Sequence, residues 1–329
     1  MAILVTGGAG YIGSHTVAEL LDRGEEVVVL DNLQTGHKAA LLGGKLYEGD
    51  LRDKELLSKL FSENSIDAVI HFAANSLVGE SMQNPGKYYD NNVFGTLSLL
   101  EAMKEAGVRR IVFSSTAATY GEPEKVPIEE GDRTEPTNVY GETKLMMERM
   151  MSWFDKVLGI KYVSLRYFNA AGAHESGKIG EDHRPESHLI PLVLQTALKQ
   201  RPHISVFGDD YATPDGTCIR DYIHVSDLAD AHMRAVNYLR EGNDSNVFNL
   251  GNGQGFSVKE VIETARKVTG LDIPVVTEPR RAGDPAVLVA SSDKARSVLG
   301  WSPKRTQLED IISGAWGWHQ SHPQGYGDE

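Results

Sequence analysis

The chain of 329 residues carries a single cysteine, Cys218. One thiol excludes an internal disulfide and any metal centre built from clustered cysteines, and it fits a reducing compartment. No apolar run approaches the roughly 20 residues that a bilayer-spanning helix needs, so no membrane association is expected. Positive charge is in deficit: 33 basic against 46 acidic residues leave a formal charge of −13. That balance opposes non-specific binding to nucleic acid or to anionic lipid. The first residues run straight into a glycine loop with no basic stretch, apolar stretch or small-residue cleavage site. We therefore expect the folded domain to begin at Met1, with no leader and a cytoplasmic location. Internal repeats, low-complexity segments and coiled-coil heptads are missing as well, and the tail 321–329 reads as loose.

What the sequence does have is rhythm. Strand-like apolar runs alternate with longer stretches of helical period: 3–6 then 14–23, 26–31 then 53–63, 68–73 then 85–105, 110–114 then 139–158, and finally 161–168. Runs such as Val27-Val-Val-Leu30 and Ala68-Val-Ile-His71 are apolar without alternation, as strands covered on both faces should be. The pattern predicts an α/β protein: a doubly wound parallel-sheet Rossmann domain with a smaller mixed α/β substrate-binding lobe. We expect residues 1–168 to form the first unit, with 226–250 returning to it, and 169–225 plus 251–329 to form the lobe. Past Phe168 the rhythm breaks into loops rich in Gly, His, Asp and Pro, the kind of segment that often carries a substrate site.

Two constellations carry chemistry. In Gly7-Gly-Ala-Gly10-Tyr-Ile-Gly13 the glycines follow a strand and precede a helix, so the backbone can turn tightly and aim helix N–H groups at a pyrophosphate. Asp31 closes the second strand, 18 residues after Gly13, where a carboxylate accepts from a ribose and repels a 2′-phosphate; NAD is favoured over NADP. Asp50 stands at the end of the next strand, where an adenine contact and a helix cap are both open readings. The second constellation is Tyr140-Gly-Glu-Thr-Lys144. Four residues apart on a helix, Tyr140 and Lys144 share a face, where an ammonium is expected to lower the phenol and make it a general base. The segment Phe113-Ser-Ser-Thr116 ends a strand at the carboxyl edge of the sheet, so Ser114 and Thr116 offer hydroxyls where ligands bind. His174, His183 and His188 are scattered through one loop-rich stretch without the helical HxxxH spacing of a metal site, and read as loop histidines.

Together with Tyr88-Tyr-Asp-Asn-Asn-Val93, Leu165-Arg-Tyr-Phe-Asn169 and Arg220-Asp-Tyr-Ile-His-Val225, these motifs resemble the extended short-chain dehydrogenase/reductase superfamily. Within it the chain is most similar to the UDP-glucose 4-epimerase family, from Thr6 to about Trp318. The resemblance implies NAD at Gly7, Gly10, Tyr11, Ile12, Gly13, Asp31, Asn32, Asp50, Leu51, Phe72, Ala73, Ala74, Asn92, Ser114, Tyr140, Lys144 and Phe168. Ser76 stands where many relatives have a lysine near the cofactor. It implies a catalytic hydroxyl at Thr116, where many relatives have serine, beside the base Tyr140 and its partner Lys144. For a UDP-sugar it implies Asn169, His188, Leu189, Val206, Phe207, Arg220, Arg281 and Asp284. The two arginines are assigned to the diphosphate, since a planar guanidinium binds two phosphate oxygens at once. Leu288 matches a position that helps decide whether a 2-acetamido sugar fits.

The implied reaction is reversible interconversion of UDP-galactose and UDP-glucose, with NAD resident and no net oxidation. A 4,6-dehydratase would need an acid–base pair beside the catalytic hydroxyl, where this chain has Ala117-Ala118. An epimerase acting on UDP-N-acetylhexosamines and an NAD-binding regulator without turnover are the remaining alternatives. Met146, Met147, Met150 and Met151 follow Lys144 on its helix as packing or subunit-contact residues. The resemblance implies a homodimer built from this helix and the helix at 85–105.

Overall fold

The computed structural model describes residues 1–281 and 284–327. Thirteen strands are described: β1 Ala2–Thr6, β2 Val27–Asp31, β3 Lys45–Glu48, β4 Ile66–His71, β5 Arg110–Thr116, β6 Lys161–Tyr167, β7 Asn169–Ala171, β8 Ile204–Phe207, β9 Ile219–His224, β10 Asn246–Leu250, β11 Gly255–Ser257, β12 Val275–Glu278 and β13 Val287–Leu288. The helices are α1 Tyr11–Asp22, α2 Lys54–Glu63, α3 Val78–Gln83, α4 Pro85–Tyr88, α5 Gly95–Ala106, α6 Val139–Leu158, α7 Leu189–Ala197, α8 Val225–Arg240, α9 Val258–Thr269, α10 Asp293–Leu299 and α11 Leu308–Ser321. Among the described residues, no helix is long and apolar enough to cross a membrane.

Seven parallel strands form the main sheet in the order β10-β6-β5-β4-β1-β2-β3. Its apolar strands are buried on both faces because successive side chains serve two cores. Ile3, Val5, Val27, Val29, Ala68 and Ile70 pack with Val17 and Leu20 of α1 and Ala231 and Val236 of α8. Leu4, Val28, Leu30, Val69, Ile111 and Phe113 face the opposite way, toward Leu57 of α2, Leu99 of α5, and Met147 and Met151 of α6. The chain order reverses between β1 and β4, and that reversal opens a crevice at the carboxyl ends of the strands. The doubly wound expectation is met, and β10 supplies the seventh strand on the β6 edge.

Past β6 a second, smaller sheet is centred on β9, which pairs antiparallel with β11 and parallel with β7 and β13. A separate parallel ribbon joins β8 to β12. Helices α7, α9 and α11 close over these strands around Val193, Leu194, Ile262, Ile311 and Ile312. On β9, Arg220 is in register with Phe256 of β11 on one side and Leu288 of β13 on the other.

Two elements differ from the sequence reading. Helix α1 starts at Tyr11 rather than at residue 14, so the helix grows directly out of the glycine loop. The tail after α11 is packed rather than loose over residues 322–327, with 328–329 outside the described residues. Tyr326 donates its phenol to the Gly180 carbonyl, its backbone N–H reaches Asp182, and its ring lies 4.9 Å from that of His37. Together with His322, whose ring stacks on that of Trp318 at 5.0 Å, this side chain supplies a tether that composition alone did not reveal.

Candidate active site

The glycine loop connects β1 to α1 and is shaped by steric necessity. Gly7 has φ +72°, and a Cβ there would stand 2.6 Å from the Ala73 nitrogen. At Gly13 a Cβ would come within 2.1 Å of the Gly7 carbonyl oxygen. Only bare backbone lets the first turn of α1 press so close to the end of β1. That turn has no side-chain cap and no acidic residue, so its N–H groups and partial positive charge face the crevice unneutralised. Asp31 clasps the loop from the neighbouring strand, accepting from the N–H groups of Ala9 and Leu33 at 2.9 Å each. Burial pushes its carboxyl upward, against those two hydrogen bonds and the nearby His37.

A cleft of about 920 Å³ runs from this loop, over the ends of β5 and β6, to the sheet centred on β9. The structure brings most of the expected residues to its wall: Gly7, Gly10, Tyr11, Ile12, Gly13, Asp31, Asn32, Asp50, Leu51, Phe72, Ala73, Ala74, Ser114, Thr116, Tyr140, Lys144, Phe168, Asn169, His188, Arg220, Arg281, Asp284 and Leu288. Four others lie elsewhere. Asn92 is buried below the cleft in a π-helical turn, Tyr89–Phe94, between α4 and α5. Its amide accepts from the Asn75 N–H at 2.8 Å and donates to the Asn75 carbonyl and the Thr143 hydroxyl, bracing the wall from behind. Val206 points into the core of the second lobe, and Leu189 packs against the same core at the start of α7. Phe207 lies under Arg281, whose guanidinium carbon is 3.9 Å from the ring centre. The carboxylate of Asp50 is taken up by Arg52 and Asn32, and that guanidinium holds it down at about 2.

At the centre of the cleft, β5 and α6 place the reactive groups. Helix α6 is capped by the Asn138 side chain, which accepts from the Gly141 N–H at 2.8 Å and so puts Tyr140 in the first turn. One turn later Lys144, 2% exposed, donates to the Ser114 carbonyl at 2.7 Å and stands 5.9 Å from the centre of the Tyr140 ring. Burial pulls this ammonium down to about 7, with Glu148 acting in the opposite direction. Burial also pushes the Tyr140 phenol up to about 12, and the hydroxyl of Thr116 is the group that draws it back. The expected lowering of the phenol by Lys144 is thus not a property of the protein groups alone. The ammonium is tied to β5 and faces the ring, so desolvation outweighs it. Behind Lys144, Glu148 forms a buried ion pair with Arg166 at 2.6 Å and accepts from Ser115.

At the far end, Arg220 pairs with Asp284 and donates to the Ile219 carbonyl at 2.8 Å, while Arg281 is stacked and solvent-facing. Cleft residues that the motifs did not single out include Tyr167, hydrogen-bonded to Ser114, and Glu181 and His183 in the loop before α7. Tyr167 sits inside the quoted Leu165–Asn169 motif, so a signal existed; Glu181 had none.

Residues 3–251 match the NAD dependent epimerase/dehydratase family. The chain belongs to it. A UDP-glucose 4-epimerase from Halalkalibacterium halodurans is 63% identical over 329 residues, covering 100% of this chain and 98% of its own. A crystal structure of a UDP-glucose 4-epimerase superposes with a TM-score of 0.98 at 57% identity, with 100% of both chains covered. Another, from Bifidobacterium longum in complex with NAD+ and UDP, gives a TM-score of 0.93 at 42% identity over 99% of this chain and 100% of its own. The resemblance drawn from the motifs holds. Membership of this NAD-dependent family agrees with the shape of the loop, because the room made by Gly7 and Gly13, the uncapped start of α1 and the clasped Asp31 fit a dinucleotide.

Proposed function

We propose that the chain catalyses the reversible, NAD-dependent 4-epimerisation of UDP-galactose and UDP-glucose through a 4-keto sugar. The observation that carries this reading is the convergence of the Tyr140 phenol, the Thr116 hydroxyl and Lys144 midway between the dinucleotide loop and the Arg220/Arg281 end of one continuous cleft. NAD, when bound, supplies the hydride acceptor and a positive ring. Tyr140 takes the proton of the sugar 4′-hydroxyl, and Thr116 shares that proton and holds the phenol in place. Lys144, fixed on Ser114, presents positive charge to the tyrosine ring as the phenolate forms. Arg220 and Arg281 hold the diphosphate while the sugar turns over, so the hydride can return to the other face. Among the alternatives, the dehydratase lacks its acid–base pair at Ala117 and Ala118, and a regulator without turnover leaves the retained tyrosine, lysine and hydroxyl unexplained.

The main sheet with its helices serves the dinucleotide in this reading, and the lobe around β9 serves the nucleotide sugar. We also propose a cytoplasmic homodimer through α5 and α6. Trp153 and Val157 of α6 are 64% and 71% exposed, and Phe94 of the π-helical turn and Leu97 of α5 are exposed as well. The test of the function is proton NMR of the purified protein with UDP-galactose and no added cofactor. Growth of UDP-glucose to equilibrium is expected; no conversion even with added NAD would refute the assignment.

A further inference from the structure

The loop between β7 and α7 contains Glu181, His183, Glu186 and His188, spaced E-x-H-x-x-E-x-H. In the fold these four side chains turn toward one point. His188 Nδ1 lies 2.9 Å from Glu181 Oε1 and 3.0 Å from Glu186 Oε1, and His183 Nδ1 lies 3.2 Å and 3.6 Å from Glu181 Oε1 and Glu186 Oε2. One ligand atom from each residue can be chosen so that all lie within 4.8 Å of one another. Both carboxylate side chains are only 5% exposed.

The four shortest of these separations, 2.9 to 3.6 Å, lie close to those of a coordination shell. Four ligands at the 2.0–2.2 Å typical of zinc with nitrogen and oxygen donors stand about 3.3 to 3.6 Å apart at the corners of a tetrahedron. As metal ligands the two imidazoles would be neutral, so with the two carboxylates the shell would carry two negative charges, which a divalent cation balances. A second observation concerns His183: the His188 Nδ1 contact to Glu186 Oε1 is a hydrogen bond, and the His183 contacts are not. His183 Nδ1 is sealed from solvent and makes no hydrogen bond, although two carboxylate oxygens lie beside it. Neither contact meets hydrogen-bond geometry at this nitrogen, whereas in a closed network an N–H would meet an oxygen squarely. The cluster is also pre-oriented by outer contacts: Glu186 Oε1 accepts from the N–H groups of Ser187 and His188 at 2.7 and 2.8 Å, and Tyr11 packs edge-on to the His183 ring.

We propose that Glu181, His183, Glu186 and His188 form a tetrahedral site for one zinc-class divalent cation that braces the cleft wall ahead of α7. The cluster shares His188 with the residues read for the UDP-sugar, and because its occupancy is read without turnover, its failure and that of the epimerase reading are distinguishable.

The experiment uses the full chain, stripped with chelator and titrated with cobalt(II), followed by displacement with zinc and elemental analysis. One cobalt per chain, with the intense visible absorption of tetrahedral coordination and its loss on adding zinc, is expected. Glu186→Gln and His183→Ala should each weaken binding by at least about 100-fold, while His174→Ala, whose ring is bonded to Ser176 outside the cluster, should bind as the parent does. Zinc at about 100 times its Kd should raise the Tm of the parent by ~4 °C and leave that of the Glu186→Gln variant unmoved. A folded parent with no such absorption, or equal affinity in parent and both cluster variants, overturns the site. Circular dichroism of each metal-free variant separates lost binding from lost folding, and should a variant unfold, the parent's spectrum and stoichiometry decide alone.

Discussion

Lys144 is anchored to the Ser114 carbonyl at 2.7 Å, so the buried ammonium of α6 is held by the backbone of β5 rather than by the phenol it serves. Its geometry therefore does not depend on the protonation of Tyr140. The cost falls on stability, because a cation has been taken out of water with a single close acceptor.

That cost has a sign. The folded value of Lys144, about 7, lies below its ordinary 10.5, so the unfolded chain binds more protons between those limits and stability rises with pH across the window. For the cofactor-free protein, Lys144→Met should be more stable than the parent by up to about 5 kcal/mol below pH 7, and the gap should close toward pH 10.5. Thermal melts of both proteins from pH 6 to 10 measure it; a constant gap would contradict the buried-cation account.

Tyr140→Phe keeps the ring and removes the proton acceptor, so turnover of UDP-galactose should fall by about 10² to 10⁴-fold while the protein retains its NAD. Thr116→Val is the subtler change. It removes the hydroxyl that draws the phenol down, so the pKa governing kcat/KM should move upward and the rate at neutral pH should drop about tenfold. An unchanged pH profile in Thr116→Val would assign that hydroxyl to packing only.

Asp31 clasps the loop and, in the proposed reading, also excludes a 2′-phosphate. Asp31→Ser keeps a small acceptor near Ala9 and Leu33 but drops the charge, so affinity for NADH should fall about 10- to 100-fold. Affinity for NADPH should fall less or rise. Fluorescence titrations with both dinucleotides compare the two, and an unaltered preference would remove Asp31 from discrimination.

Leu288 faces the cleft beside Arg220. Leu288→Tyr fills that space, so kcat/KM for a UDP-N-acetylhexosamine should fall by at least about tenfold relative to UDP-galactose. Paired NMR assays provide the ratio. Equal losses for both sugars would show that the added ring blocks the cleft without discriminating.

The main sheet was legible because a two-sided parallel sheet writes continuous apolar runs, and the meeting of Tyr140 with Lys144 was legible because they are neighbours on one helix. The second lobe was not, since β7, β11 and β13 are two or three residues long and gain stability only by pairing with β9, a partner far away in the chain. The same reason hid the Glu181–His188 cluster: its spacing belongs to no helix, and the loop acquires a common centre only once β7 and α7 fix its ends. Asn92 was assigned to the cofactor from its motif, yet the π-helical turn spends its amide on Asn75 and Thr143. The tail was misread because its docking rests on two rings, His322 against Trp318 and Tyr326 against His37, that composition does not place.

Arg220 and Leu288 occupy the same rung of β9 and β13. The arginine proposed to hold the diphosphate and the residue proposed to gauge the sugar thus sit one strand spacing apart, about 4.8 Å, on a shared backbone ladder. That ladder makes the grip and the gauge separable traits: trimming or enlarging one side chain resizes the sugar that is accepted, and the handle by which every nucleotide sugar is carried stays where it was. New preferences can be reached by single substitutions, without rebuilding the hand that holds the substrate.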